Sequence, residues 1–258
     1  MDTGIVTPTM LLFLICAATL AGFVDAAAGG GGLISLPAFL LTGMPPHYVY
    51  GTNKFMAATG TTFSTANFLR KGALDLPVAA VAALGSFAGS ALGARLVLVL
   101  SDAALKTMLL CILPVAAFVI LRSRNLPDTD RTAAVPPARR LALALAIGLG
   151  IGCYDGLVGP GTGTFAILAF STLVGYSMRN AGGNAKVLNL ASNYASLAVY
   201  LTSGLVVFSV ALPCAAGNVC GNLLGSQLAL KKGARFIRPM LLVVLALLLV
   251  KLGTDTLL

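Results

Sequence analysis

Apolar runs broken by short polar stretches cover nearly the whole chain. They span 9–28, 33–43, 46–69, 74–100 and 103–121. After a polar stretch from Arg122 to Arg140 they resume over 141–158, 163–175, 182–202, 205–230 and 236–252. Several reach the roughly 20 residues that a helix needs to cross a bilayer. The runs 33–43 and 163–175 are too short for a perpendicular crossing. Each of these short runs follows a glycine-rich break: Asp25-Ala26-Ala27-Ala28-Gly29-Gly30-Gly31-Gly32 in the first half and Asp155-Gly156-Leu157-Val158-Gly159-Pro160-Gly161-Thr162-Gly163 in the second. Broken segments at matching places in two halves are the sequence mark of a transporter's substrate site.

The halves align by spacing. Gly51-Thr52-Asn53-Lys54 matches Gly183-Asn184-Ala185-Lys186 at an offset of 132, and Gly72 matches Gly204. Gly85, Gly89 and Gly93 match Gly217, Gly221 and Gly225 at that same offset. Glycines four apart make a smooth stripe on one helix face, where a second backbone can come close. A shared offset over so many landmarks predicts a duplication. The repeats are placed at 1–125 and 141–258, joined by a linker over 126–140, within one membrane domain.

Composition narrows the class. Of 258 residues, 58% are hydrophobic and 10% charged, and the mean hydropathy is +0.94. So few charges cannot cover a soluble domain, so the expected fold is an all-α integral membrane protein. There is no Glu and a single His, and the five cysteines show no metal-binding spacing. No metal or other cofactor is expected, and no nucleophile or base constellation marks an enzyme. The first apolar run resembles a secretory signal, but Met1 to Thr9 carries Asp2 and no Lys or Arg, so it reads as a retained helix.

Charge decides between two topologies. If every broken segment crosses the membrane once, Arg70, Lys71, Arg122, Arg124, Arg131, Arg139, Arg140 and Lys251 fall on one side. Arg95, Lys106, Arg179, Lys231, Lys232, Arg235 and Arg238 then fall on the other, 8 against 7. If each broken segment enters and returns as a hairpin, the first side loses Lys251 and gains Arg179, Lys231, Lys232, Arg235 and Arg238, and the split becomes 12 against 3. Positive charge concentrates on the cytoplasmic side, so the hairpin arrangement is predicted. Each half then holds one glycine-broken helical hairpin and three transmembrane helices. The halves are inverted relative to one another, and both termini are periplasmic.

The chemistry gathers at the breaks. Irregular backbone at membrane depth survives only when buried in protein or lining a wet cavity. Gly29, Gly30, Gly31 and Gly32 leave N–H groups uncovered ahead of a short helix, whose N-terminus attracts anions. The turn Gly161-Thr162-Gly163 is expected to face it from the other half. Lys54 and Lys186 are repeat-equivalent charges inside apolar helices, where charge is costly; each neutralises a bound anion or snorkels to the interface. Thr52, Asn53, Asn184, Asn189 and Asn193 add hydrogen-bonding groups, with Asn189 and Asn193 on the face of Lys186 at i+3 and i+7. Asp25 and Asp155 are also equivalent. Either they carry protons, since an isolated buried carboxyl prefers to be neutral, or they are fixed partners that cap the hairpin or pair with Lys54 or Lys186. The four glycines open no βαβ unit, so nucleotide binding is not indicated, and nucleic acid is not an expected partner.

These motifs resemble the TauE/SafE sulfite exporter (TSUP) family. The similarity rests on Gly22 to Pro37, Gly43-Met44-Pro45-Pro46, Gly51-Thr52-Asn53-Lys54, Tyr154-Asp155-Gly156, Gly159 to Gly163, Asn180 to Lys186 and Asn189, and it extends over essentially the whole chain. The resemblance implies a multi-pass transporter of sulfur-containing anions in the bacterial cytoplasmic (inner) membrane, with sulfite or an organosulfonate such as sulfoacetate as substrate. The expected partners are that small anion, membrane lipid and a second copy of the chain in a homodimer. The expected activity is secondary transport, in the export direction, by alternating access. An anion channel, a proton-coupled importer of thiosulfate or sulfonate, and a non-transporting membrane scaffold or enzyme subunit are the rival readings. The two intramembrane lysines argue against the scaffold, because packing alone does not need costly charges.

Overall fold

The computed structural model describes residues 6–105, 107, 108, 111, 129–233, 236 and 239. The runs 103–121 and 236–252, the charges at Lys106, Arg122, Arg124, Arg235, Arg238 and Lys251, and the positions of both termini lie largely or wholly outside them. The described residues form helices and connecting turns, with no strand among them. In the first half these are α1 (Pro8–Ala28), α2 (Gly32–Leu40), α3 (Pro46–Arg70) and α4 (Leu76–Val99). In the second half they are α5 (Pro137–Leu157), α6 (Thr162–Ala169, continued by a π-helical turn Phe170–Val174), α7 (Met178–Thr202) and α8 (Phe208–Lys232).

Local sequence sets the ends. Pro occupies the first turn of α1, α3, α4 and α5, where its missing N–H has no intrahelical partner to lose. The side chains of Thr7, Asp75 and Ser177 accept N-terminal N–H groups of α1, α4 and α7. The helix α5 starts at Pro137, inside the stretch assigned to the linker. Arg139 is exposed there, while Arg140 is half-buried, donates Nε–H to Val135 O at 3.0 Å and lies 4.0 Å from Asp75.

Among the described residues, four helices are long and apolar enough to cross a membrane: α1, α4, α5 and α8. The other two long helices, α3 and α7, are as long but more polar, and they bury their polar residues inside the bundle. Exposed Leu12, Leu84, Phe87 and Leu224 give the outer surface an apolar character.

Packing contacts fix the helix directions. Gly85, Gly89 and Gly93 of α4 meet Leu145, Leu149 and Cys153 of α5 in rising order, so these helices run parallel. Gly217, Gly221 and Gly225 of α8 meet Ile15, Thr19 and Phe23 of α1, again in parallel. At each of these six glycines a methyl group would strike a backbone atom or side chain of the partner helix, the close approach that small residues permit in a membrane bundle. Gly60 and Asn67 of α3 meet Asn218 and Ser226 of α8, and Ser86 and Ser90 of α4 bond to Leu188 and Ser192 of α7, both in parallel. Thr61 bonds Asn193 and Thr65 bonds Lys186, so α3 and α7 are antiparallel. The helices α1, α3 and α8 therefore point one way, and α4, α5 and α7 the other. Apolar clusters fill the two ends, one around Phe68, Phe170 and Met178, the other around Leu14, Tyr50 and Tyr200. Polar side chains lie between them.

Candidate functional site

Two glycine turns bring the breaks to one place. Helix α1 ends at Gly29, which has φ 76° and donates its N–H to Asp25 O at 2.7 Å. The chain then folds back so tightly that a Cβ on Gly31 would lie 2.6 Å from both Ala21 O and Asp25 Cβ. In the second half Gly159 and Gly161 take φ 93° and 80°, a region open to glycine at little cost, and the Tyr154 hydroxyl donates to Pro160 O. The turns touch. Thr164 donates its N–H to Gly29 O at 3.3 Å and its hydroxyl to Ala28 O at 2.7 Å, and Gly29 and Gly163 meet backbone to backbone.

Each intramembrane lysine reaches an aspartate of the opposite half. Lys54 Nζ donates to Asp155 Oδ2 at 2.6 Å and to Asn193 Oδ1 at 3.1 Å. Lys186 Nζ donates to Asp25 Oδ2 at 2.7 Å and to Asp25 O at 2.6 Å. The first pair is sealed, with side-chain exposures of 4% and 3%; in the second, Asp25 keeps 19%. Asp155 accepts two further hydrogen bonds. The Thr162 hydroxyl donates to Oδ1 at 2.7 Å, and the Ser192 hydroxyl donates to Oδ2. The two lysines and two aspartates are thus matched one to one across the halves.

A cavity of about 40 Å³ opens beside the sealed pair. Asp25, Gly29, Gly31, Gly32, Asn53, Lys54, Asp155, Thr162, Asn189 and Asn193, all expected from sequence, line it, joined by Ser35, Tyr50, Gly159 and Asn218. Two of its polar atoms are buried with no hydrogen-bond partner, Tyr50 Oη and Asn53 Oδ1. Among the described residues, the N–H groups of Gly31 and Gly32 donate to no protein acceptor. Lys54 uses two of its three ammonium protons, on Asp155 and Asn193. Unmet donors and acceptors at a buried surface cost free energy unless something binds them.

Six expected site residues lie elsewhere. Gly30, Gly161 and Gly163 belong to the turns but do not line the cavity, and Lys186 reaches it only through Asp25. Thr52 accepts Val207 N–H at 3.1 Å, and Asn184 accepts Asp75 N–H at 2.9 Å, so these two equivalent side chains hold loops at opposite ends of the bundle. Tyr50 lines the cavity although the sequence reading does not include it. Its signal was present, since it stands four residues before Lys54 and so on the same helix face.

The chain matches the sulfite exporter TauE/SafE family over residues 14–252. It is 38% identical over 255 residues to a probable membrane transporter protein of Haemophilus influenzae, covering 99% of this chain and 98% of that one. It is also 38% identical to probable membrane transporter protein ORF9 of a Sinorhizobium species, over 95% and 93% of the two chains. Against probable membrane transporter protein YfcA of Escherichia coli K12 the identity is 35%, over 97% and 92%. No solved structure matches. Apolar helices around a polar interior, joined to a family match over nearly the full length, make this a multi-pass membrane transporter, and the chain belongs to the TauE/SafE sulfite exporter family.

Proposed function

We propose that the protein is a secondary carrier that exports a small sulfur oxyanion, sulfite in the first place, and binds it in the cavity beside Lys54 and Asp155. The observation that carries this reading is the set of unmet groups around that cavity. Tyr50 Oη, the Gly31 and Gly32 N–H groups and the third ammonium proton of Lys54 are donors without acceptors, on a wall that the short helix α2 approaches with its N-terminus. An oxyanion supplies acceptors on every side. Since one water needs about 10–15 Å³ of such volume, a cavity of about 40 Å³ suits an ion of sulfite's size better than a long organosulfonate.

The ion pair defines how an anion is accepted. Lys54 stays neutralised by Asp155 in the empty site and turns its spare proton toward the guest. The site therefore does not hold an uncompensated charge while it waits, which a low-dielectric interior would penalise heavily.

The two halves act as inverted repeats in this reading. Contacts recur at the offset of 132: Thr52 with Val207 answers Asn184 with Asp75, and Gly51 with Leu205 answers Gly183 with Ala73. Rocking of one half against the other exposes the shared site alternately. The charge split places Arg70, Lys71, Lys231 and Lys232 at the cytoplasmic face of a bacterial inner membrane. Export of a monovalent anion is then driven by the membrane potential, by about 2.3 kcal/mol per charge per 100 mV. The exposed apolar faces meet lipid, and a second copy of the chain forms a homodimer.

Sulfite-loaded proteoliposomes test the reading. Efflux should saturate with internal sulfite and show counterflow. Flux that rises linearly and shows no counterflow would mean a channel. Uphill uptake driven by an inward proton gradient would mean an importer, with Asp25 and Asp155 as the groups to examine. No binding of sulfite or sulfonates would remove the proposal.

A further inference from the structure

A second polar feature leads away from the cavity. Asn218, which lines it, begins a file on α8 that continues one turn apart through Asn222 and Ser226. Opposite this file, α3 presents Gly60 and Asn67 in the same order. Asn222 Nδ2 donates to Asn218 Oδ1 at 2.9 Å, and Asn67 Nδ2 donates to Ser226 Oγ at 2.9 Å. Gly60 leaves just enough room, since a Cβ there would lie 2.5 Å from Asn222 Nδ2 and closer still to Asn218 Oδ1. Eight residues of helix carry the file about 12 Å. Beyond it lie the exposed Arg70 and Lys71 at the end of α3, and Lys231 and Lys232 at the end of α8.

Packing alone does not account for this file. Asn222 is 1% exposed, and its Oδ1 has no partner. At the equivalent seam between α4 and α7, Ser86 and Ser90 stand at the same offset, and their hydroxyls are paired with Leu188 O and Ser192 O at 2.9 and 2.7 Å. Small hydroxyls suffice to bring two helices together. Two buried amides, one of them half-satisfied, are an expensive way to do so in a membrane.

We infer that the α3–α8 seam is the gate and half-path between the cavity and the Arg70/Lys231 face. Asn218 and Asn222 offer amide groups to the anion once the helices part. The basic ends gather anions at the mouth, and the Asn67–Ser226 hydrogen bond with the close fit of Gly60 against Asn218 and Asn222 closes it in the present conformation. This inference rests on the transport reading, but its first test needs no substrate.

In a background with Cys16, Cys111, Cys153, Cys214 and Cys220 replaced by Ser or Ala, single Ser226→Cys, Asn222→Cys and Leu224→Cys variants are treated with an anionic methanethiosulfonate reagent from the Arg70/Lys231 side. Positions 226 and 222 should react, with 226 faster. Leu224, 57% exposed on the outer face of α8, should stay inert in lipid. In proteoliposomes, Asn222→Leu should slow sulfite efflux at least about tenfold while sulfite binding to the purified variant persists, and Asn222→Ser should retain efflux. Equal inertness at 222, 224 and 226, or an Asn222→Leu variant that transports like the parent, would overturn the gate. If the parent neither binds nor moves sulfite while 222 and 226 react, the substrate reading fails and the path stands.

Discussion

Lys54 Nζ and Asp155 Oδ2 lie 2.6 Å apart, both sealed from solvent and contributed by opposite halves of the chain. The pair ties α3 to the end of α5 at the point where the second hairpin turns. Removing one member of a buried pair leaves the other charge uncompensated, at a cost of about 3–5 kcal/mol, whereas replacing both by apolar groups is often close to neutral. Thr162 and Ser192, which also serve Asp155, have Gly159 O and Asn189 O within reach as alternative acceptors. Lys54→Met and Asp155→Leu should therefore each lower the unfolding midpoint in detergent sharply. The double variant should regain most of that loss. Additive losses in the double variant would show that the two groups are not coupled.

Gly29 and Gly43 share a backbone conformation and differ in surroundings. Both have φ near 80°, but a Cβ at Gly29 would run into the Gly163 backbone, whereas none of the atoms around Gly43 comes within 4 Å. A non-glycine residue in this region costs about 1–2 kcal/mol from its own sterics. Gly43→Ala should lose about that much. Gly29→Ala should lose more, because the contact between the two turns cannot form without moving a backbone. The folded yield of the two variants under identical expression and extraction measures the difference, and equal yields would contradict the turn-to-turn contact.

Much of this arrangement was legible in the spacing of the chain. The offset of 132 found equivalent landmarks, and the glycine runs located both turns. Asn189 and Asn193 share one face of α7, as their spacing requires, and both line the cavity; the lysine that lines it with them is Lys54 of α3, not Lys186 of their own helix. What sequence could not show was pairing across the halves. Nothing in the order of residues says whether Lys54 meets Asp25 or Asp155, since that depends on how two hairpins cross in space. Thr52 and Asn184 read as site groups because polar residues in apolar helices stand out. Each sits two positions before a lysine, about 200° around the helix, and this turns it away toward a loop. Asn218 and Asn222 each follow directly on a glycine of the α8 stripe, and that regular stripe is the stronger signal in the sequence.

That stripe makes its own prediction. Gly221 lies against Thr19 O and Phe23 N of α1, while Gly150, on the exposed face of α5, has no heavy atom nearby. Alanine favours a helix over glycine by about 0.5–1 kcal/mol when space allows. Gly150→Ala should hold or raise the unfolding midpoint. Gly221→Ala must push α1 off α8 and should lose about 1–3 kcal/mol, the usual cost of overpacking. Matched thermal scans in one detergent compare the two directly. A neutral Gly221→Ala would mean that α1 and α8 do not pack this closely.

Tyr50 offers a test in which stability and function move in opposite directions. Its hydroxyl is buried without a partner at the cavity wall. Replacing it by phenylalanine deletes that oxygen and keeps the ring that packs with the apolar cluster around Tyr200 and Val49. An unsatisfied buried polar group costs about 1–3 kcal/mol, so Tyr50→Phe should leave the empty protein as stable as the parent or more so. A bound oxyanion, however, gives that hydroxyl a charged acceptor. Hydrogen bonds to charged groups contribute about 1.5–3 kcal/mol, so the variant should bind sulfite about 10- to 100-fold more weakly. Unfolding curves and sulfite titrations of the same purified sample separate the two effects. A packing role alone would leave both stability and affinity close to the parent's, since phenylalanine keeps the ring. A variant of normal stability whose Kd for sulfite is unchanged would remove Tyr50 from the site and shift the anion toward Gly31, Gly32 and Lys54.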